Sequence, residues 1–253
     1  MSTTAIVAPT ERQQELLGQT VVVIGGSSGI GLETARRARS EGAEVIVTGR
    51  DPDRLRQAAQ DLGALDSAAF DAFDSAAMDR FLQGLPNPID HLMVTAGRPY
   101  YGRLRDMDLT QAVQHVDQLL TLVLRVARES TDRIGPGGSL VFISGTGARR
   151  PGVGLTIPST ITAALPALTA NLALELAPVR VNLVAPGFVD TPLSASLLGG
   201  ELEKRRQQLR DTLPIGRVVG PSDVAALAVH LMTNTALTGA TYDIDGGQQL
   251  IRR

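Results

Sequence analysis

Short apolar runs alternate along the chain with longer stretches in which apolar positions recur every three or four residues. The runs fall at 20–24, 44–48, 89–94, 139–143, 179–184 and 241–244, with a weaker one near Ala68-Ala69-Phe70. Their apolar residues are mostly consecutive, the pattern of strands buried on both faces of a parallel sheet. Between them, helical spacing predicts helices over 29–40, from Pro52 onward, and over 75–83, 110–130, 159–176 and 222–232. In the first, Arg36, Arg37 and Arg39 face outward while Ile30, Ala35 and Ala38 face inward. Pro52 suits a first helical turn, and Ser222 reads as the cap of the last helix. The 159–176 stretch repeats Ile161, Leu165, Leu168, Leu172 and Leu176. Within it, Pro166 has no N–H for the carbonyl of Thr162, which predicts a kink. The polar, charged segment 194–212 predicts a mobile helical lid, bounded at about 191–213.

Strand and helix alternating in this way predict a doubly wound α/β domain of the Rossmann type, a seven-stranded parallel sheet with helices on both faces. No repeat or linker interrupts the pattern. One domain is expected over 16–253, behind a flexible N-terminal extension at 1–15.

The first run leads directly into Gly25-Gly26-Ser27-Ser28-Gly29-Ile30-Gly31 and then a helix. Glycines permit a tight turn and close backbone approach, and a helix N-terminus presents free N–H groups and a positive dipole end to a pyrophosphate. The spacing is G-x-x-x-G-x-G rather than the commoner G-x-G-x-x-G. The second strand ends at Thr48-Gly49-Arg50. A carboxylate there would accept from a ribose 2′-hydroxyl, whereas Arg50 suits a 2′-phosphate, so the expected cofactor is NADP(H).

Composition narrows the chemistry. Apolar residues make up 43% of the chain, enough for a sizeable core, and the net charge of -2 carries no basic excess for nucleic acid. The chain has no cysteine, which excludes disulfides, thiolate metal sites and a cysteine nucleophile. His91, His115 and His230 lack the short spacing of a metal motif, so no metal site is expected. No run reaches the roughly 18 apolar residues of a membrane span. The polar start, without an apolar segment of signal type, predicts a soluble, cytoplasmic chain. Lys204 is the sole lysine.

These motifs resemble the short-chain dehydrogenase/reductase family over about 17–247. Gly25, Gly29 and Gly31 match its T-G-x-x-x-G-x-G loop, with Ile24 for the threonine and Ser27, Ser28 and Ile30 between. Asp71 matches the aspartate facing the adenine, and Thr95-Ala96-Gly97 matches N-A-G. Pro186, Gly187, Val189 and Thr191 fall in the P-G-x-x-x-T segment bordering the nicotinamide, and Asp245-Gly246-Gly247 matches D-G-G. The resemblance implies a small-molecule substrate, and a homodimer or homotetramer built through the long helices at about 110–130 and 159–176.

The same resemblance implies a catalytic set of asparagine, serine, tyrosine and lysine. A free phenol has a pKa of about 10, so it exchanges protons near neutrality only beside a cation. With the flanks aligned, the four positions hold Asp117, Gly145, Pro158 and Thr162. No tyrosine of Tyr100, Tyr101 and Tyr242 has a lysine four residues on. Tyr101, paired at helical spacing with Arg105, and Ser144 beside Gly145 are the candidate substitutes, with Tyr100 and Thr146 as further hydroxyls. Arg149 and Arg150 are candidate anchors for an acidic substrate. Two functions remain open: an NADP(H)-dependent oxidoreductase with a non-standard site, or a catalytically inactive NADP(H)-binding sensor or assembly subunit.

Overall fold

The structure, a computed structural model, describes residues 14–251. Most of the expected N-terminal extension therefore lies outside the described residues. Seven parallel strands form one sheet: β1 (Thr20–Ile24), β2 (Glu44–Gly49), β3 (Asp66–Ala69), β4 (Ile89–Val94), β5 (Ile134–Ile143), β6 (Arg180–Pro186) and β7 (Thr241–Ile244). Their order across the sheet is β3-β2-β1-β4-β5-β6-β7. The direction of winding reverses between β1 and β4, and at such a switch point the loops diverge and leave a crevice beyond the strands' carboxyl ends.

Eight helices cover the sheet among the described residues: α1 (Gly29–Ser40), α2 (Pro52–Leu62), α3 (Ser75–Gly84), α4 (Leu109–Ser130), α5 (Thr156–Glu175), α6 (Pro192–Leu198), α7 (Leu202–Thr212) and α8 (Pro221–Thr233). Successive strand side chains point to opposite faces. Val22 and Ile24 of β1 accordingly join Met78, Leu82, Val126, Leu165 and Leu172 of α3, α4 and α5. Val21 and Val23 join Ala35, Ala38, Leu55, Val224 and Ala228 of α1, α2 and α8. The sheet is thus sealed on both sides, as its consecutive apolar runs require.

Two buried polar residues fasten the sheet. His91 of β4 bridges Ser139 Oγ at 2.9 Å and Gln19 Oε1 at 2.8 Å. Burial, helped by the charge of Arg180, pushes its pKa down to about 3. The guanidinium of Arg180 donates to the carbonyls of Leu231, Met232, Asn234 and Leu237. It thereby binds β6 to the negative end of α8.

Several expectations shift. α5 starts at Thr156, so Pro158 lies inside its first turn, and the helix continues unbroken through Pro166. α8 is capped by Gly220, whose N–H donates to Asp223 Oδ2 at 2.9 Å, and not by Ser222. The expected lid is two helices, α6 and α7. By length and composition alone α5 is apolar enough to cross a membrane, although Ser159, Thr162, Thr169 and Asn171 interrupt it and no run of 18 apolar residues occurs.

Candidate functional site

The glycine turn is shaped by what surrounds it. Gly25 has φ of 92°, and a Cβ there would stand 2.7 Å from Thr95 Oγ1 and 2.9 Å from the Ala96 nitrogen. A Cβ on Gly31 would strike the carbonyl oxygen of Gly25. The Thr95 hydroxyl lies 3.1 Å from the carbonyls of both Ile24 and Gly25, to which it donates. The Gly25 N–H donates to Thr48 Oγ1 at 3.2 Å. The turn is therefore held between the ends of β1, β2 and β4.

The helix that follows begins without a side-chain cap. Ser28, extended at the N-cap, makes no capping hydrogen bond, and no acidic residue lies in the first turn of α1. Asp51, Asp74 and Asp108 cap α2, α3 and α4 with their carboxylates. At α1 the free N–H groups and the positive dipole end remain open to an anionic acceptor.

A cleft of about 520 Å³ opens over this turn, within the range of small-molecule and cofactor sites. It gathers Gly25, Ser27, Ser28, Gly29, Ile30, Gly31, Arg50, Asp71, Ala96, Gly97 and Thr191, all expected from the sequence. Pro186 and Gly187, at the end of β6, and Val189 lie outside its lining. Three charged or titratable residues were missed: Arg54, Arg98 and His115. Arg54 follows Arg50 by four residues, and Arg98 directly follows Thr95-Ala96-Gly97, so both carried a signal of position. His115 carried none, because its place depends on the rotation of α4 against the sheet.

The cleft is electropositive. Among the described residues, neither the Arg50 nor the Arg98 guanidinium has a hydrogen-bond or ion-pair partner, while Arg54 lies 3.5 Å from Asp51. Asp71 is the sole carboxylate in the lining, and its Oδ1 accepts from the Phe73 N–H at 3.0 Å. The His115 ring lies 5.8 Å from that of Tyr100. Partial burial holds its pKa below the usual histidine range, partly opposed by the Arg98 backbone nearby.

The corner beside β5 differs. A Cβ on Gly145 would lie 3.5 Å from the Pro186 carbonyl oxygen and 3.6 Å from Thr162 Cγ2, so the ends of β5 and β6 meet α5 with room for a side chain. Pro158 occupies the first turn of α5, where a missing N–H loses no intrahelical bond. The Thr162 hydroxyl donates to the Ser159 carbonyl at 3.2 Å, and the Ser159 hydroxyl to the Gly147 carbonyl at 3.1 Å. Ser144 Oγ is buried without a hydrogen-bond partner among the described residues.

The remaining candidates separate. Asp117 is exposed and lines a recess of about 90 Å³ with Ser75 and Arg125, not the corner. Its place between α3 and α4 follows from the phase of α4, which aims Asp117 outward. Tyr101 is 54% exposed and shares no hydrogen bond among the described residues, and the residues around its ring push its phenol pKa up. The expected pairing of Tyr101 with Arg105 is absent among the described residues, because residues 104–106 form a separate 3-10 turn. Arg149 is taken by an ion pair with Asp243, and Lys204 pairs with Glu201 on the lid. The lid itself packs close, since a Cβ on Gly29 would meet Thr191 Cβ at 3.5 Å. Arg206 pairs with Asp190 at 2.8 Å, and Arg205 stands 5.8 Å over the Phe188 ring.

Comparison with known proteins follows the same lines. The family described as enoyl-(acyl carrier protein) reductase matches residues 24–249. The short-chain dehydrogenase/reductase malC of Malbranchea aurantiaca is 28% identical, covering 96% of this chain and 100% of its own. The structure of the MalC reductase/Diels-Alderase superposes with a TM-score of 0.86 at 27% identity, covering 95% of this chain and 99% of that one. Dehydrogenase/reductase SDR family member 4 of Sus scrofa is 30% identical over 94% of this chain and 89% of its own. A small-chain dehydrogenase in complex with NADPH gives a TM-score of 0.80 at 30% identity, over 92% of this chain and 99% of that one.

Proposed function

The chain belongs to the short-chain dehydrogenase/reductase family, and from that membership we propose that it is an NADP(H)-dependent oxidoreductase of a small-molecule carbonyl or alcohol, with a non-standard active site. The observation that carries this reading is the cleft over an uncapped helix N-terminus, lined by arginines with one carboxylate among them. The residues present fit the cofactor: the spaces at Gly25 and Gly31 exclude even a methyl group, so backbone alone would meet a diphosphate. Arg50, with Arg54 beside it, suits a 2′-phosphate by charge-assisted hydrogen bonding. The solved relative that carries NADPH supports the same choice.

When bound, the cofactor supplies the hydride. This chain's own residues must orient the substrate and manage its proton. Gly145, Pro158 and Thr162 offer no acid, so the candidate hydroxyls are those of Ser144, orphaned at the corner, and the exposed Tyr101. Oxidation of NADPH, followed at 340 nm against a panel of ketones and aldehydes, tests the reading. Turnover is expected, with Tyr101→Phe lowering kcat at least tenfold if that phenol donates. Tight NADPH binding without turnover on any carbonyl or alcohol would contradict it.

That contrary result belongs to a second reading, a catalytically inactive NADP(H)-binding sensor or assembly subunit. It is favoured by the commitment of the Ser159 and Thr162 hydroxyls to backbone carbonyls, which leaves the corner without a proton relay.

We also infer a homodimer or homotetramer. The most apolar 18-residue window of α5 is only 28% buried. Leu174 on α5 is 80% exposed and Leu124 on α4 is 48% exposed, an unpartnered apolar surface of the kind that marks interfaces.

A further inference from the structure

The cleft holds one group able to change charge near neutral pH, His115, and the reading of the cleft as an NADP(H) site gives that group a task. His115 stands on α4 and lines the same wall as Arg98. Its ring has two neighbours. Tyr100 lies 5.8 Å away, centroid to centroid, at 35°, and the Tyr100 hydroxyl reaches the Asp108 carbonyl at 3.5 Å, at the N-cap of α4. The Arg98 backbone lies near enough to the imidazole to favour its proton, against the effect of partial burial.

We propose that His115 is a proton-linked anion contact of this cleft, through which the chain holds a phosphorylated dinucleotide more tightly as pH falls. The charged groups around the cleft make the linkage. The loop after β2 and the start of α2 bring Arg50 and Arg54, the loop after β4 brings Arg98, and the turn after β3 brings Asp71. The glycine turn and the lining residues of α6 carry no charge, and on α4 itself Asp117 faces, with Arg125, an adjoining recess that shares Ala72 and Phe73 with the cleft. In the free protein, partial burial acts against a proton on His115. A dinucleotide with a 2′-phosphate brings several negative charges into the same cleft and favours the imidazolium. Any ligand that raises a group's pKa takes up a proton on binding, and its affinity then rises as pH falls through the pKa of the complex.

The inference rests on the cofactor reading, and one experiment separates the two. Dissociation constants for NADPH and for NADH are measured by cofactor fluorescence between pH 5.5 and 8.0, for the wild-type chain and for His115→Gln and His115→Asn. In parallel, the imidazole pKa of His115 is followed by NMR with and without NADP⁺. Protonation of the 2′-phosphate affects all the proteins alike, so the difference between wild type and variants isolates the imidazole. The expected result is an affinity gain of about tenfold toward low pH in the wild type relative to either variant, matching a pKa rise of roughly one unit on binding. NADPH binding with parallel pH profiles and an unmoved imidazole pKa overturns the inference and leaves the cofactor reading intact. Absence of binding at every pH overturns both. An effect of equal size for NADH assigns the contact to the diphosphate, and an effect confined to NADPH assigns it to the 2′-phosphate; either supports the inference.

Discussion

The cleft over α1 and the corner beside β5 sit at the same carboxyl edge of one sheet, yet they treat their polar groups in opposite ways. In the cleft, hydrogen-bonding capacity is left unspent: the N-terminus of α1 is uncapped, and the guanidinium groups of Arg50 and Arg98 have no protein partner among the described residues. In the corner, the Thr162 and Ser159 hydroxyls are turned back onto backbone carbonyls, and Gly145 offers none. Arg50 and Arg98 are exposed, so water meets them in the free protein and an anion can replace that water without breaking any protein contact. The Ser159 and Thr162 hydroxyls would have to give up existing bonds to serve a ligand. Ser144 Oγ is the exception that keeps the corner from being inert.

The comparison breaks most visibly at Gly31. Gly31→Val would drive a side chain into the Gly25 carbonyl and the Thr95 hydroxyl. An affinity loss for NADPH of at least about a hundredfold is expected, read by fluorescence titration, with far-UV circular dichroism unchanged. A valine variant that binds as well as wild type would show that the turn is not the binding element.

A smaller effect should reach both regions together. His91 lies under the shared floor, bonded to Gln19 before β1 and Ser139 on β5. Its pKa is depressed to about 3 in the fold against an ordinary 6.5, so the folded chain keeps it neutral. The stability tied to that neutrality is fully present above pH 6.5 and is lost as pH falls toward 3. Urea melts should show stability dropping by about 1.4 kcal/mol per pH unit below pH 6 beyond the contribution of the carboxylates. His91→Gln should flatten that extra slope, and equal slopes in both proteins would contradict the assignment.

The difference between the two regions also governs what the sequence could disclose. The strands were legible because burial on both faces demands consecutive apolar residues. β3 was misplaced by a few residues because Asp66-Ser67-Ala68-Ala69 at the sheet's edge is under no such demand. The early part of β5 was missed because Gly135, Gly137 and Gly138 interrupt any apolar run. The glycine turn was legible because local backbone geometry selects its residues. Arg98, His115 and the outward aim of Asp117 were not, because helix phase and loop packing place them. Pro158 was read as lying before a helix, although the first helical turn tolerates proline as readily as the position before it.

The central claim is that the cleft is an NADP(H) site selected by Arg50. Its most direct test is a fluorescence titration of the wild-type chain and Arg50→Ala with NADPH and NADH at pH 7.5. The account predicts saturable binding, NADPH tighter than NADH, and a loss of roughly 10- to 100-fold for NADPH alone in Arg50→Ala, the worth of a hydrogen-bonded charge pair. No binding of either nucleotide, or equal affinities that Arg50→Ala leaves unchanged, would contradict it.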